Sequence, residues 1–211
     1  MKTIFDHKIF TVLAGLVDIV WISILWYLGS VLVFTAGAAT VAMYYTIHKR
    51  LKNEGYLFET YKEAFLSNFK KATVIWLICL ALDIFLGFDI YLTRMAMAEG
   101  SSLGALYYPL LVCAVMAFMW QIAVFSYQSR FDDSIKAVFA KSSVLAMNNI
   151  GWMIFLTAFL IGFICLCRYF IFLFVILPGG YFFMVHHVFE HIFGKMGWIE
   201  VRRDDEDTTK L

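Results

Sequence analysis

The chain has 211 residues, 17 basic and 16 acidic, and its net charge of +1 excludes the broad basic field with which proteins hold nucleic acid. It is 62% hydrophobic, with 22 Phe, 11 Tyr and 6 Trp, whereas a soluble domain of this length is nearer about half apolar. The charges are bunched and leave apolar stretches of about 20 residues between them, the length that crosses a bilayer.

In chain order the sequence predicts an all-α, multi-pass helix bundle in one membrane domain over residues 1–200. The first span is expected at about 9–29, interrupted only by Asp18. It is too long for the apolar core of a secretory signal, and further apolar stretches follow, so it reads as a retained helix. A short second span, 34–48, is rich in Ala and Gly. Next comes LFETYKEAFLSNFKK at 57–71, in which Phe58, Tyr61, Phe65 and Phe69 recur at helical spacing with charges between them, the pattern of an amphipathic surface helix. The third span, 73–92, contains Asp83 and Asp89, and the fourth, 106–127, contains Gln121. A second amphipathic helix is expected at 131–147, with Asp132 and Asp133 favouring its N-terminus. The apolar block that follows is too long for one helix and divides at Arg168 into spans 150–167 and 169–189, the last kinked or broken at Pro178-Gly179-Gly180. The charged tail at 201–211 is expected to be disordered.

Six spans with both termini in the cytoplasm put all of the 17 basic residues except Arg94 and Arg168 on the inner side, as the positive-inside rule asks. Removing the second span breaks this alternation, so the charges favour six spans over five. Cys79, Cys113, Cys165 and Cys167 lie inside apolar stretches without a CxxC pair, which argues against a disulfide or a zinc-thiolate site.

Residues 14–77 resemble the YesL-like family of bacterial membrane proteins. The resemblance is carried by Asp18, Leu25 and Trp26, then Thr35, Gly37, Ala38, Ala39 and Tyr44, then Phe65, Asn68, Phe69 and Lys70. Leu177-Pro178-Gly179 also fits. The chain departs from the family at Ser23, where Asn is common, and at Leu32, where Pro is common. The resemblance implies a multi-pass protein of the bacterial cytoplasmic membrane; no catalytic activity and no cofactor are expected. It further implies an accessory or regulatory role beside a carbohydrate importer of the ABC type. No GxxxxGK[ST] pattern occurs, so this chain is not the ATPase of such a system.

Three groups of residues are candidates for function. Asp18 and Asp83 fall near the middle of their spans, where an ionisable group is costly, and they suggest an intramembrane polar site for a proton, a cation or a sugar hydroxyl. That is the basis of an alternative reading as a stand-alone transporter; the plainer reading is a carboxyl hydrogen-bonded to a neighbouring helix. Phe65, Phe69, Lys70, Lys71 and Phe139 on the two surface helices are expected to face the lipid interface or to dock permease subunits. His187, Glu190 and His191 spell HxxEH, so that two imidazoles share one helix face and could bind a metal, although a third ligand is not assignable and His186 is also an i,i+4 neighbour of Glu190.

Overall fold

The computed structural model describes residues 2–52 and 54–198, with side chains from Gly15 onward. The tail at 201–211 and the side chains of Lys2 and Lys8 lie outside the described residues. Among the described residues seven α-helices follow one another: α1 (Lys2–Ser30), α2 (Ala36–Leu51), α3 (Leu57–Ala98), α4 (Tyr107–Gln128), α5 (Ile135–Asn148), α6 (Ile150–Tyr169) and α7 (Leu173–Lys195). Short 3-10 turns at Val33–Thr35 and Ser102–Leu106 lead into α2 and α4, and there is no strand among the described residues. Four helices, α3, α4 with its leading turn, α6 and α7, are long and apolar enough to cross a membrane.

The largest difference from the sequence reading is at residues 57–98. The expected surface helix 57–71 and the expected span 73–92 are one unbroken helix of 42 residues. Lys70 and Lys71 mark a change of environment, but charge does not end a helix. The segment contains no Pro and a single Gly, at position 87, so nothing interrupts its hydrogen-bond ladder. Its outward stripe records the change instead. Glu59, Glu63 and Lys70 are exposed on one side of the boundary, and Val74, Leu77, Ile84 and Phe88 on the other.

The second expected span forms α2, only 16 residues or about 24 Å long, against the about 30 Å of a hydrocarbon core. It is the most enclosed helix, with Ala38, Ala39, Val41, Ala42, Met43 and Tyr44 fully buried. It folds back along the first half of α3, where small residues permit close approach. A Cβ on Gly37 would lie 2.4 Å from Trp76 Cβ and 2.8 Å from the Ala72 carbonyl oxygen. Trp76 Nε1 of α3 also ties down the turn between α1 and α2 by donating to the Val33 carbonyl at 2.7 Å.

The amphipathic helix expected at 131–147 forms as α5 but starts at Ile135, because Ser134 is its N-cap and accepts from Ala137 N–H. Asp132 and Asp133 lie in the preceding linker and tie it to the helices around it. Asp132 pairs with Lys71 at 2.8 Å, and Asp133 pairs with Lys141 at 2.8 Å and accepts from the Tyr127 hydroxyl. The Lys141 ammonium, and after it Tyr127, holds the Asp133 carboxyl below its ordinary range. This contribution is present at neutral pH and is lost as the pH falls through the depressed value.

The final apolar block divides at 170–172, just beyond Arg168, and α7 passes through Pro178 without a break. Pro178 has no N–H to offer the Phe174 carbonyl four residues back. That carbonyl instead accepts from the Tyr27 hydroxyl of α1 at 2.6 Å. The next N–H, of Gly179, donates to Ser23 Oγ of α1 at 2.9 Å, and Ser23 in turn donates to the Ile19 carbonyl at 2.8 Å. A Cβ on Gly179 would meet the Ile19 carbonyl oxygen and Ser23 Oγ, both at 2.5 Å, so the approach requires glycine.

These contacts separate two kinds of glycine. Gly37→Ala is expected to destabilise the fold by about 1–3 kcal/mol through overpacking against Trp76. Gly162→Ala, where an added Cβ meets nothing within 4 Å, is expected to stabilise α6 by about 0.5–1 kcal/mol. Thermal unfolding of the two variants in detergent would show opposite shifts.

Candidate functional site

The ends of α2, α4 and α7 converge on a polar cluster. His48 is one turn from the end of α2, Arg130 follows α4, and His186 and Glu190 lie one helical turn apart on α7. His48 and His186 are 5% and 6% exposed. Their imidazoles face each other with His48 Nδ1 3.0 Å from His186 Nε2. Glu190 Oε1 lies 3.6 Å from the first nitrogen and 3.9 Å from the second. Arg130 holds the carboxylate from the other side through Nε to Oε1 at 2.6 Å and Nη2 to Oε2 at 3.3 Å, a two-point geometry that fixes its plane. The Tyr44 ring, one turn before His48, is 5.3 Å from the His186 ring, and its buried hydroxyl has no hydrogen-bond partner. The His186 Nδ1 is likewise buried and unpartnered.

His48, His186 and Glu190 are the group of described residues whose ligand atoms are close enough for one metal ion, all within 4.8 Å. The HxxEH pattern shares Glu190 with this group but pairs it with His187 and His191 rather than with His48 and His186. His187 and His191 do share a helix face, and that face is exposed: His187 packs on Phe183 and His191 on Trp152, with rings 5.0 and 6.0 Å apart. Adjacent helix positions differ by about 100°, so moving from His187 to His186 moves from the surface to the interior. The i,i+4 relation of His186 and Glu190 was the usable signal. The contribution of His48, from a helix far away in sequence, was not legible.

The structure does not bring Asp18 and Asp83 together. Asp18 pairs with Arg50, at 2.7 Å and 3.3 Å, beside the end of α2. With Arg50 40% and Asp18 24% exposed, the pair is worth at most about 1 kcal/mol. Asp83 lies about 39 Å along α3 from Leu57, and it accepts from Gln121 Nε2 of α4 at 2.6 Å. The two carboxyls therefore sit at different depths on different helix pairs. Asp83 is exposed on the surface of the chain, among Ile84, Phe85 and Phe88.

The proposed docking aromatics are also placed otherwise than expected. Phe65 and Phe69 turn inward, pack against the core and adjoin each other at 5.6 Å. Phe139 stacks on Trp120 at 5.3 Å. The apolar faces of both amphipathic segments had an internal surface to cover, supplied by α2 and α4. Lys71 is tied to Asp132, and only Lys70 is left on the exposed stripe.

An apolar cavity of about 350 Å³ lies between α1, α2, α3, α4, α6 and α7, lined by Trp26, Thr40, Trp76, Gln121, Pro178 and Tyr181 among others. The buried Tyr181 hydroxyl has no hydrogen-bond partner.

Residues 19–90, from the second half of α1 through most of α3, match the family model described as "Protein of unknown function, DUF624". The chain is similar to that family over about a third of its length, a region that includes His48 and Asp83 but not Arg130, His186 or Glu190. No curated protein and no solved structure matches the chain.

The cluster sets a measurable coupling. Arg130→Ala is expected to cost about 2 kcal/mol, below the roughly 3–5 kcal/mol for breaking a fully buried pair, because Glu190 is 22% exposed. Combining it with Glu190→Ala should cost less than the two single changes added, as unfolding free energies of the four proteins would show.

Proposed function

We propose that this chain is a YesL-like, non-catalytic protein of the bacterial cytoplasmic membrane, an accessory or regulatory component of a carbohydrate ABC import system. It makes six passes with both termini in the cytoplasm. The basic residues support the orientation, since all but Arg94 and Arg168 fall on the inner side. The resemblance at Asp18, Trp26, Gly37, Tyr44, Phe65 and Asn68 supports the family, together with the family match at 19–90.

The observation that carries the partner reading is Asp83. A carboxyl in an apolar span normally faces the interior of its own bundle. This one is exposed on α3, with Gln121 as its hydrogen-bond partner. Covering by another membrane protein, such as a permease subunit, removes the carboxyl from lipid. The docking surface in this reading is the outward stripe of α3, from Glu59 and Lys70 at its inner end to Asp83 and Ile84 in the span. It replaces the aromatic faces of Phe65, Phe69 and Phe139. The alternative reading as a transporter using Asp18 and Asp83 together lacks a common site for the two.

Affinity purification from native membranes is expected to bring down permease subunits. Repeated isolation of the chain alone would sink the proposal. Asp83→Leu should leave the melting temperature within a few degrees of the parent yet reduce co-purification; unchanged co-purification would show that this face meets only lipid. In a cysteine-free background, a cysteine at Ser101 is expected to react with an impermeant reagent on intact cells, and one at Glu54 only after the membrane is opened.

A further inference from the structure

We infer that His48, His186 and Glu190 form a binding site for a divalent first-row transition metal of the zinc type. The inference is independent of the transport reading.

Two imidazole nitrogens and one carboxylate oxygen are a donor set that zinc and its neighbours accept. In a tetrahedral site with bonds of 2.0–2.1 Å, neighbouring ligand atoms are about 3.3 Å apart. The three separations here, 3.0, 3.6 and 3.9 Å, bracket that value. All three atoms are thus placed for one ion with only small adjustments of side-chain torsion. The donors come from two helices, and a third element steadies them through Arg130. The guanidinium does not exclude a metal. A carboxylate has about four lone-pair sites, and the two contacts from Arg130 leave Glu190 Oε1 free to coordinate on the side facing the histidines.

Without an ion the two buried rings share a single contact: either neutral tautomer lets one imidazole donate to the other. His186 Nδ1, on the far side of its ring, is without a partner in either state. Coordination gives His48 Nδ1 and His186 Nε2 a common acceptor in place of their mutual contact. Three protein ligands leave a position for water. The unpartnered Tyr44 hydroxyl, one turn before His48, is the nearby side chain suited to bond such a water. The partial exposure of Glu190 provides the way in. An ion held here would tie α2 to α7 at the end of the bundle that carries the basic residues.

The test uses the full chain with a tag free of histidine, purified in detergent, stripped with chelator and titrated with Zn2+ alone. Bound metal is measured after gel filtration. One Zn2+ per chain is expected for the parent. His48→Gln and His186→Gln should each weaken binding by more than the about 10–100-fold that follows loss of a supporting hydrogen bond. The double variant His187→Gln with His191→Gln should retain it. Zn2+ binding that follows His187 and His191, or parent binding no tighter than that of a His48→Gln, His186→Gln double variant, overturns the site. Should the buried variants fail to fold, Co2+ bound to the parent decides. Intense visible bands of a four- or five-coordinate ion support the site, and the weak bands of a six-coordinate aqueous ion overturn it.

Discussion

Lipid offers no hydrogen bonds, and this constraint organises the contacts that hold the bundle together. Where α7 meets Pro178 its own ladder fails, and α1 supplies both missing partners, the Tyr27 hydroxyl for the Phe174 carbonyl and Ser23 Oγ for the Gly179 N–H. Trp76 does the same for the Val33 carbonyl where the α1–α2 hairpin turns, and Gln121 for Asp83 between α3 and α4. Each defect in one helix is thus a specific attachment point for another. Packing alone would let apolar helices slide in a medium as apolar as themselves, and these polar contacts fix their registers.

Much of the fold was legible because membrane helices announce themselves by length and hydropathy. The apolar stretches at 73–92, 106–127 and 150–167 all lie within helices long enough to cross, and the last stretch continues as α7 to Lys195. What composition could not give was continuity. The change from charged to apolar residues at Lys70–Lys71 predicts a boundary between helices, and in the structure it is only a change along the exposed stripe of one helix. The backbone has no reason to stop there. Similarly, amphipathicity showed that Phe65, Phe69 and Phe139 needed an apolar surface. It could not say that the surface was α2 or α4 rather than a second protein.

The polar cluster was partly legible. His186 and Glu190 are a readable i,i+4 pair, but the HxxEH pattern draws attention to His187 and His191 on the neighbouring, exposed face. His48 joins the cluster only through the packing of α2 beside α7, a contact between helices far apart in sequence. Ser23 illustrates the same limit. In the sequence it stands out only as a departure from the family resemblance, and in the structure it is the buried hydroxyl that completes the backbone of α7.

The unbroken α3 has a mechanical consequence. Its 42 residues make a rod of about 63 Å, roughly twice the thickness of the hydrocarbon core. Its first half is held against α2 and its second against α4. A force applied to Glu59 or Lys70 in water has no hinge at which to dissipate before it reaches Asp83. Were the rod to tilt as a whole, its two ends would move in opposite directions about the point where it is held.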